Sequence, residues 1–196
     1  MSSAPSRSSV DPVGAALALG AEAVLRAVAA AAAAHPVVLI DGCSGAGKTS
    51  LARLLAAQWQ GGPVQLVALD ALYPGWDGLD AGVEIVRAAV LVPRARGEAG
   101  AWRRWDWDAG APAEEHVVDP VLPLIVEGSG VLTAATAPLG DVRVWVDAPA
   151  AARRRRALDR DGDLYRPHWE RWAAQERRHV ARDDPRGLAT VEVVVP

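Results

Sequence analysis

Several residue types are scarce or missing, and each shortage closes off a class of function. The 196 residues contain no phenylalanine, no asparagine, a single cysteine, Cys43, and a single lysine, Lys48, against twenty arginines. One cysteine excludes an internal disulfide and a cysteine-based zinc site. Without asparagine, and with one lysine already committed elsewhere, the Asn-Lys-x-Asp motif that reads guanine cannot be built. Basic charge is not in excess: the formal net charge is −3, so no positive field invites nucleic acid or an anionic membrane. The start of the chain, Met1 to Ser9, is serine-rich and has no apolar stretch of the secretory kind, which points to a cytoplasmic protein. The most hydrophobic window, Val13 to Ala34, is mostly alanine and carries Glu22 and Arg26. It reads as a helix packed through Leu17, Val24, Leu25 and Val28, not as a membrane span.

What is present is organised around Asp41-Gly42-Cys43-Ser44-Gly45-Ala46-Gly47-Lys48-Thr49-Ser50. An apolar run, Val37 to Ile40, precedes it, and the helix-like Leu51-Ala52-Arg53-Leu54-Leu55 follows. Gly42 and Gly47, four residues apart and followed by Lys48 and Thr49, match the G-x-x-x-x-G-K-[ST] phosphate-binding loop in its strand-to-helix context. The glycines let the backbone curl until its N–H groups converge, and the positive end of the next helix adds to the field. In that reading the cradle runs over Gly42, Ser44, Gly45, Ala46, Gly47, Lys48, Thr49 and Ser50. Lys48 reaches the outer phosphates and Thr49 holds Mg²⁺. A glycine-rich turn that merely precedes a helix is the plain alternative. The lone lysine argues against it: where arginine replaces lysine everywhere else, this position requires a compact ammonium rather than a planar guanidinium.

About half the residues are apolar, enough for one sizeable core in a chain of this length. Residues 1–12 read as a disordered tail, and 13–196 as a single domain with a lid segment at about 150–166. Strands are expected at Val37–Asp41, Val64–Leu69, Leu122–Val126, Val142–Val146 and Val191–Val195. Helices fall between them, including one from Asp80 to Val92 closed by Pro93. Arg94 to Glu115, with Trp102, Trp105 and Trp107 among charges of both signs, reads as an irregular lid. The alternation of strands and helices predicts an α/β three-layer sandwich around a mostly parallel five-stranded sheet.

Acidic residues end three of these strands, Asp70, Glu127 and Asp147, which places them at one edge of the sheet, where such folds bind ligands. Phosphoryl transfer needs one carboxylate for the metal and one base or positioning group for the acceptor. The pattern alone does not divide those roles, and each residue could simply be a polar strand end. Of the arginine run, Arg153, Arg156 and Arg160 share one helical side and form a candidate phosphate clamp. Arg154 and Arg155 should face solvent.

The order of these pieces resembles the uridine kinase and phosphoribulokinase group of phosphate-loop kinases, from Val37 to near the end of the chain. Asp70-Ala71-Leu72-Tyr73 resembles the group's Asp-Ser-Phe-Tyr, Trp105-Asp106-Trp107 its Tyr-Asp-Phe, and Glu127-Gly128 its Glu-Gly after an apolar strand. The resemblance implies the P-loop nucleoside triphosphate hydrolase fold, ATP and Mg²⁺. It implies Asp70 as the base for an acceptor hydroxyl, Glu127 with Thr49 at the metal, and Tyr73 and Trp105 in an acceptor pocket that Trp76 would also wall. Lys48, Arg153 and Arg156 would act on the migrating phosphoryl, with Arg160 beside them. The histidine that reads the base in the group's nucleoside kinases has no counterpart at Asp108-Ala109-Gly110, and Asp77 and Asp80 are candidates for ribose hydroxyls. The expected function is an ATP-dependent small-molecule kinase acting on a hydroxyl acceptor, a nucleoside or related metabolite. An ATP-binding regulator or ATPase without an acceptor is the alternative. No membrane or nucleic-acid partner is expected, and a homo-oligomer is compatible with all of this.

Overall fold

The computed structural model describes residues 11–196. Most of the tail expected over 1–12 lies outside the described residues. Its last two positions belong to a helix, because the Asp11 carboxylate accepts a hydrogen bond from Val13 N (3.0 Å) and Pro12 takes the first helical position. That helix, α1, runs over Pro12–Ala31. Its length and composition would suffice to cross a membrane, yet Leu17, Gly20, Ala21 and Val24 are buried against the rest of the chain.

Strand β1 (Val37–Asp41) is buried at all five positions, as a strand with layers on both sides must be. It lies at the centre of a five-stranded, wholly parallel sheet ordered β2-β5-β1-β6-β7. The other strands are β2 (Gln65–Ala68), β5 (Leu124–Glu127), β6 (Val142–Asp147) and β7 (Val191–Val194). Period-two alternation sorts their side chains into two cores. Val37, Leu39, Leu124 and Val126 face one layer, where Leu79, Val83, Trp169 and Trp172 meet them. Val38, Ile40, Ile125 and Val144 face the other, against α1 and α2 (Lys48–Gln58).

Two segments differ from their sequence reading. The helix entering Pro93 does not stop there: α3 (Leu79–Val86) continues through a π-helical stretch, Arg87–Leu91, into α4 (Val92–Ala95). Proline has no N–H to give the ladder, and the wider π turn, in which Val92 N–H bonds to Arg87 O, absorbs the mismatch. Arg94 to Glu115 is not irregular either. It contains an antiparallel hairpin of β3 (Gly100–Asp106) and β4 (Ala111–Val118). Its turn is built by the Asp106 carboxylate, which accepts from Asp108 N and Ala109 N (3.0 and 2.9 Å), and by Gly110 at φ +61°.

After β6 the chain forms α5 (Ala150–Tyr165), α6 (Trp169–Asp183) and α7 (Pro185–Leu188). Inside α5, Gly162 leaves the helical region (φ +57°, ψ −133°), so its last residues depart from the axis of the rest.

Leu39, on the central strand, is fully buried beneath the layer that carries Leu79, Val83, Trp169 and Trp172. Leu39→Ala is expected to lower unfolding free energy by about 2–5 kcal/mol, measured by urea denaturation, with the midpoint shifting and the slope unchanged.

Candidate functional site

Four parallel strands deliver their ends to one edge of the sheet, and β1 delivers the loop. Gly45 takes φ +76° and packs against α5 so tightly that a Cβ there would overlap the Arg153 carbonyl. Gly42, at φ +151°, is equally close to the Val146 carbonyl of β6. Only glycine meets both demands of torsion and space. Gly47 caps α2 with no side-chain hydrogen bond, so the first N–H groups of that helix stay open toward the loop. Ala46 is fully buried beneath it.

A cavity of about 210 Å³ opens on the loop, and Lys48, Thr49, Asp70, Glu127, Arg156 and Arg160 all line it. The ammonium of Lys48, itself buried, donates to Cys43 O (3.3 Å) and to Ser129 Oγ (3.1 Å). Thr49 Oγ1 donates to Glu127 Oε1 at 2.8 Å, which brings a hydroxyl from the start of α2 and a carboxylate from the end of β5 to one point. Burial pushes the Glu127 carboxyl above its ordinary range; Asp70 adds to this, while Lys48 and the Thr49 hydrogen bond oppose it. Burial likewise pushes the Cys43 thiol up to about 12, which keeps it protonated and unreactive near neutrality.

The arginines of α5 divide as helical spacing requires. Arg154 and Arg155 are exposed. Arg153 donates to Ala148 O (3.1 Å) and Ser44 O (3.4 Å), bracing the loop from behind without lining the cavity. Arg156 donates to Gly45 O (2.8 Å) and Pro196 O (2.7 Å), and its buried Nη2 has no hydrogen-bond partner. A buried, unpartnered guanidinium nitrogen is costly without an acceptor, and this one belongs to a residue of the cavity wall. Arg160 pairs with Asp161 at 2.7 Å.

Of the three strand-end acids, Asp70 and Glu127 line the cavity, and Asp147 does not; its carboxylate accepts from the adjacent Ala148 N (2.9 Å). Tyr73, expected in an acceptor pocket, is 1% exposed, packs edge-on against Trp172 and donates to Ser129 O (2.8 Å). It is a core residue whose hydroxyl supports the loop after β5. Trp107, not Trp105, is the hairpin tryptophan that reaches the site, through a hydrogen bond to Asp70 O (2.9 Å) and contact with Trp76 (4.8 Å between rings). The hairpin register shifts between Arg103 and Trp105, and Trp107 lies in the turn, beyond the end of β3 at Asp106. Trp76 also stacks on His168 (4.2 Å) and Tyr165 (5.4 Å), so an aromatic group flanks Asp70. Asp77 and Asp80 are occupied by Arg171 and Arg182 of α6 and are drawn toward solvent-exposed ion pairs.

The largest group missed from sequence lies on α6. Trp169, Trp172, Gln175, Glu176 and His179 form its buried stripe, and three of these are polar. The signal was available: polar residues at positions where an amphipathic helix normally carries apolar ones. His179 sits between two carboxylates, Asp41 Oδ2 at 3.0 Å and Asp183 Oδ2 at 2.9 Å. Asp41, 1% exposed, in turn accepts from the N–H groups of Gly42, Gly130 and Leu132 at 2.6–2.8 Å. Burial opposes a charge on His179, but the hydrogen bonds and charges of Asp41 and Asp183 outweigh it and raise its pKa above the ordinary 6.5.

No protein-family model matches the sequence, and no curated protein is similar to it. Solved structures are. A "Possible Uridine Kinase" from Bacillus stearothermophilus aligns with a TM-score of 0.66 at 18% identity, over 92% of this chain and 98% of that one. A "putative fructose transport system kinase" from Silicibacter sp. TM1040 aligns with a TM-score of 0.55 at 20% identity, over 90% and 98%. At such identities the likeness is one of fold, the three-layer α/β arrangement of P-loop proteins.

Because the His179 pKa is raised on folding, its contribution to stability is complete below 6.5 and is lost as pH rises through the folded value. The melting-temperature difference between wild type and His179→Gln is therefore expected to be largest near pH 6 and to shrink as the pH is raised, followed by thermal unfolding across a pH series.

Proposed function

We propose that this protein is an ATP-dependent small-molecule kinase, which transfers the γ-phosphoryl group to a hydroxyl of a nucleoside or related metabolite. One observation carries the reading: a phosphate loop, a threonine–carboxylate pair, a second carboxylate and two arginines face the same cavity. A bare nucleotide-binding loop does not require Asp70 there. The two structural neighbours, whose names are "Possible Uridine Kinase" and "putative fructose transport system kinase", support a hydroxyl acceptor of this kind.

The residues present fit both the polyphosphate and its metal. Arg156 Nη2 supplies an unused buried donor for a phosphate oxygen. Thr49 and Glu127 supply hard oxygen ligands, and their small number suits Mg²⁺, which keeps waters and takes its other ligands from phosphates. Among the described residues no group of three or more His, Cys, Asp or Glu could hold a metal by itself. When bound, Mg²⁺ would neutralise charge on the outer phosphates.

In this mechanism Lys48 and the amides of the loop hold the outer phosphates, and Arg156 and Arg160 face the charge that spreads over the migrating group. Asp70 accepts the proton of the acceptor hydroxyl as its oxygen bonds to the γ-phosphorus. The bond from that phosphorus to the β–γ bridging oxygen breaks, and ADP leaves. Arg153 contributes by bracing Ser44 O, not by touching phosphate. The expected lid segment meets the loop on both sides of Gly162, through Arg153 and Arg156 before it and through Tyr165 after it.

A regulatory or acceptor-independent ATPase is the second reading. Its support is the aromatic group of Trp76, Trp107, Tyr165 and His168, which fills the flank of Asp70. The two readings separate at Asp70. For a kinase, Asp70→Asn should cut acceptor-dependent ADP release roughly 10²- to 10⁴-fold and leave MgATP affinity nearly unchanged. The measurement is coupled ADP assay over a panel of nucleosides and sugars, with MgATP binding by calorimetry. If the wild type binds MgATP and no acceptor raises turnover above the basal rate, the kinase reading falls.

A further inference from the structure

Glu176 is a buried carboxylate with no ion-pair partner among the described residues. Burying a charge is costly unless it is paired or well hydrogen-bonded. All its hydrogen bonds converge on one oxygen: Oε1 accepts from Ser44 N (2.6 Å), Ser129 Oγ (2.9 Å) and Trp172 Nε1 (3.1 Å). Two of those donors belong to the phosphate site. The charge it lacks directly stands one hydroxyl away, because Ser129 Oγ also accepts from Lys48 Nζ (3.1 Å).

The Ser129 hydroxyl has a single proton and two acceptors in reach, Glu176 Oε1 and Gly42 O (3.0 Å). A carboxylate is the stronger acceptor. When the proton goes to Glu176, the oxygen lone pairs are left to face the ammonium of Lys48. Ser44 is held in the same way from several sides: its N–H by Glu176, its carbonyl by Arg153 (3.4 Å) and its hydroxyl by Tyr165 (3.0 Å). All three residues follow β6, so the rim of the loop is shaped by a part of the chain more than a hundred residues away.

We infer that Glu176 is a positioning residue of the nucleotide site, which fixes the Lys48 ammonium through the Ser129 hydroxyl and the rim of the loop through the Ser44 amide. It touches no reacting atom. A neutral acceptor in the same place keeps both contacts, so Gln should largely replace it and Ala should not. The inference rests on the reading of Gly42 to Thr49 as a nucleotide-phosphate loop, but not on the existence of an acceptor.

The test is MgATP binding by calorimetry, with melting temperatures in parallel, for Glu176→Ala, Glu176→Gln, Ser129→Ala and the double variant Glu176→Ala with Ser129→Ala. Glu176→Ala should weaken MgATP binding roughly 10- to 100-fold, the range of a lost hydrogen bond to a charged group. Glu176→Gln should recover most of that affinity. Because Glu176 acts on Lys48 through Ser129, the total loss in the double variant should stay close to that of the stronger-affected single variant and well below the product of the two losses. A residue that only stabilises the fold would lower melting temperature without this coupling, and the losses would multiply; that result overturns the inference. So does unchanged or tighter MgATP binding in Glu176→Ala or, should that variant not fold, in Ser129→Ala. A wild type that does not bind MgATP removes the loop reading and this inference together. A wild type that binds MgATP but phosphorylates no acceptor removes only the kinase reading.

Discussion

The carboxylate of Asp41 is the constraint on which the site depends. It ends the central strand of the sheet, and its two oxygens collect the N–H groups of Gly42, Gly130 and Leu132 and the ring of His179. These donors come from three places that are otherwise independent: the start of the phosphate loop, the turn after β5 and the face of α6. A buried carboxylate must be satisfied, and satisfying this one fixes those three segments relative to one another. The turn after β5 carries Ser129 and follows Glu127, so the same constraint positions the partner of Lys48 and the partner of Thr49.

Around that point the molecule uses polar groups where a helix of this kind ordinarily buries apolar ones. Gln175, Glu176 and His179 replace three core side chains of α6 with directed hydrogen bonds. Apolar contacts would hold α6 against the sheet through area alone and tolerate sliding. Hydrogen bonds to single atoms do not. The Trp169 and Trp172 side chains on the same stripe supply the area, and the polar residues supply the register. The arginines of α5 work in a related manner: Arg153 and Arg156 donate to the carbonyls of Ser44 and Gly45 in the loop.

The fold was largely legible because its signals are local. A continuous apolar strand, a glycine loop and an amphipathic helix follow one another within twenty residues, and the strand-end acids Asp70 and Glu127 mark the edge of the sheet where the cavity opens. What was misread depended on partners distant in sequence. Pro93 stops a helix by every local rule, and only the π turn at Arg87–Leu91 lets the chain pass through it. Trp105 was preferred over Trp107 because no local pattern shows that the hairpin turn carries Trp107 to the Asp70 carbonyl, 37 residues away in the chain. Tyr73 carries a residue type suited to a pocket, and packing against Trp172 places it in the core.

By itself, then, the amino-acid sequence determined the glycine loop, the parallel α/β arrangement and the helical side of the arginines, because each follows from short-range periodicity or from the torsional freedom of glycine. Tertiary structure alone decided which carboxylates share the cavity with Lys48, which tryptophan stands beside Asp70, and that Glu176 and His179 reach the loop at all. Those outcomes depend on distances between groups separated by 37 to 138 residues. No local pattern encodes such a distance; it is set when the sheet order and the packing of α6 bring the segments together.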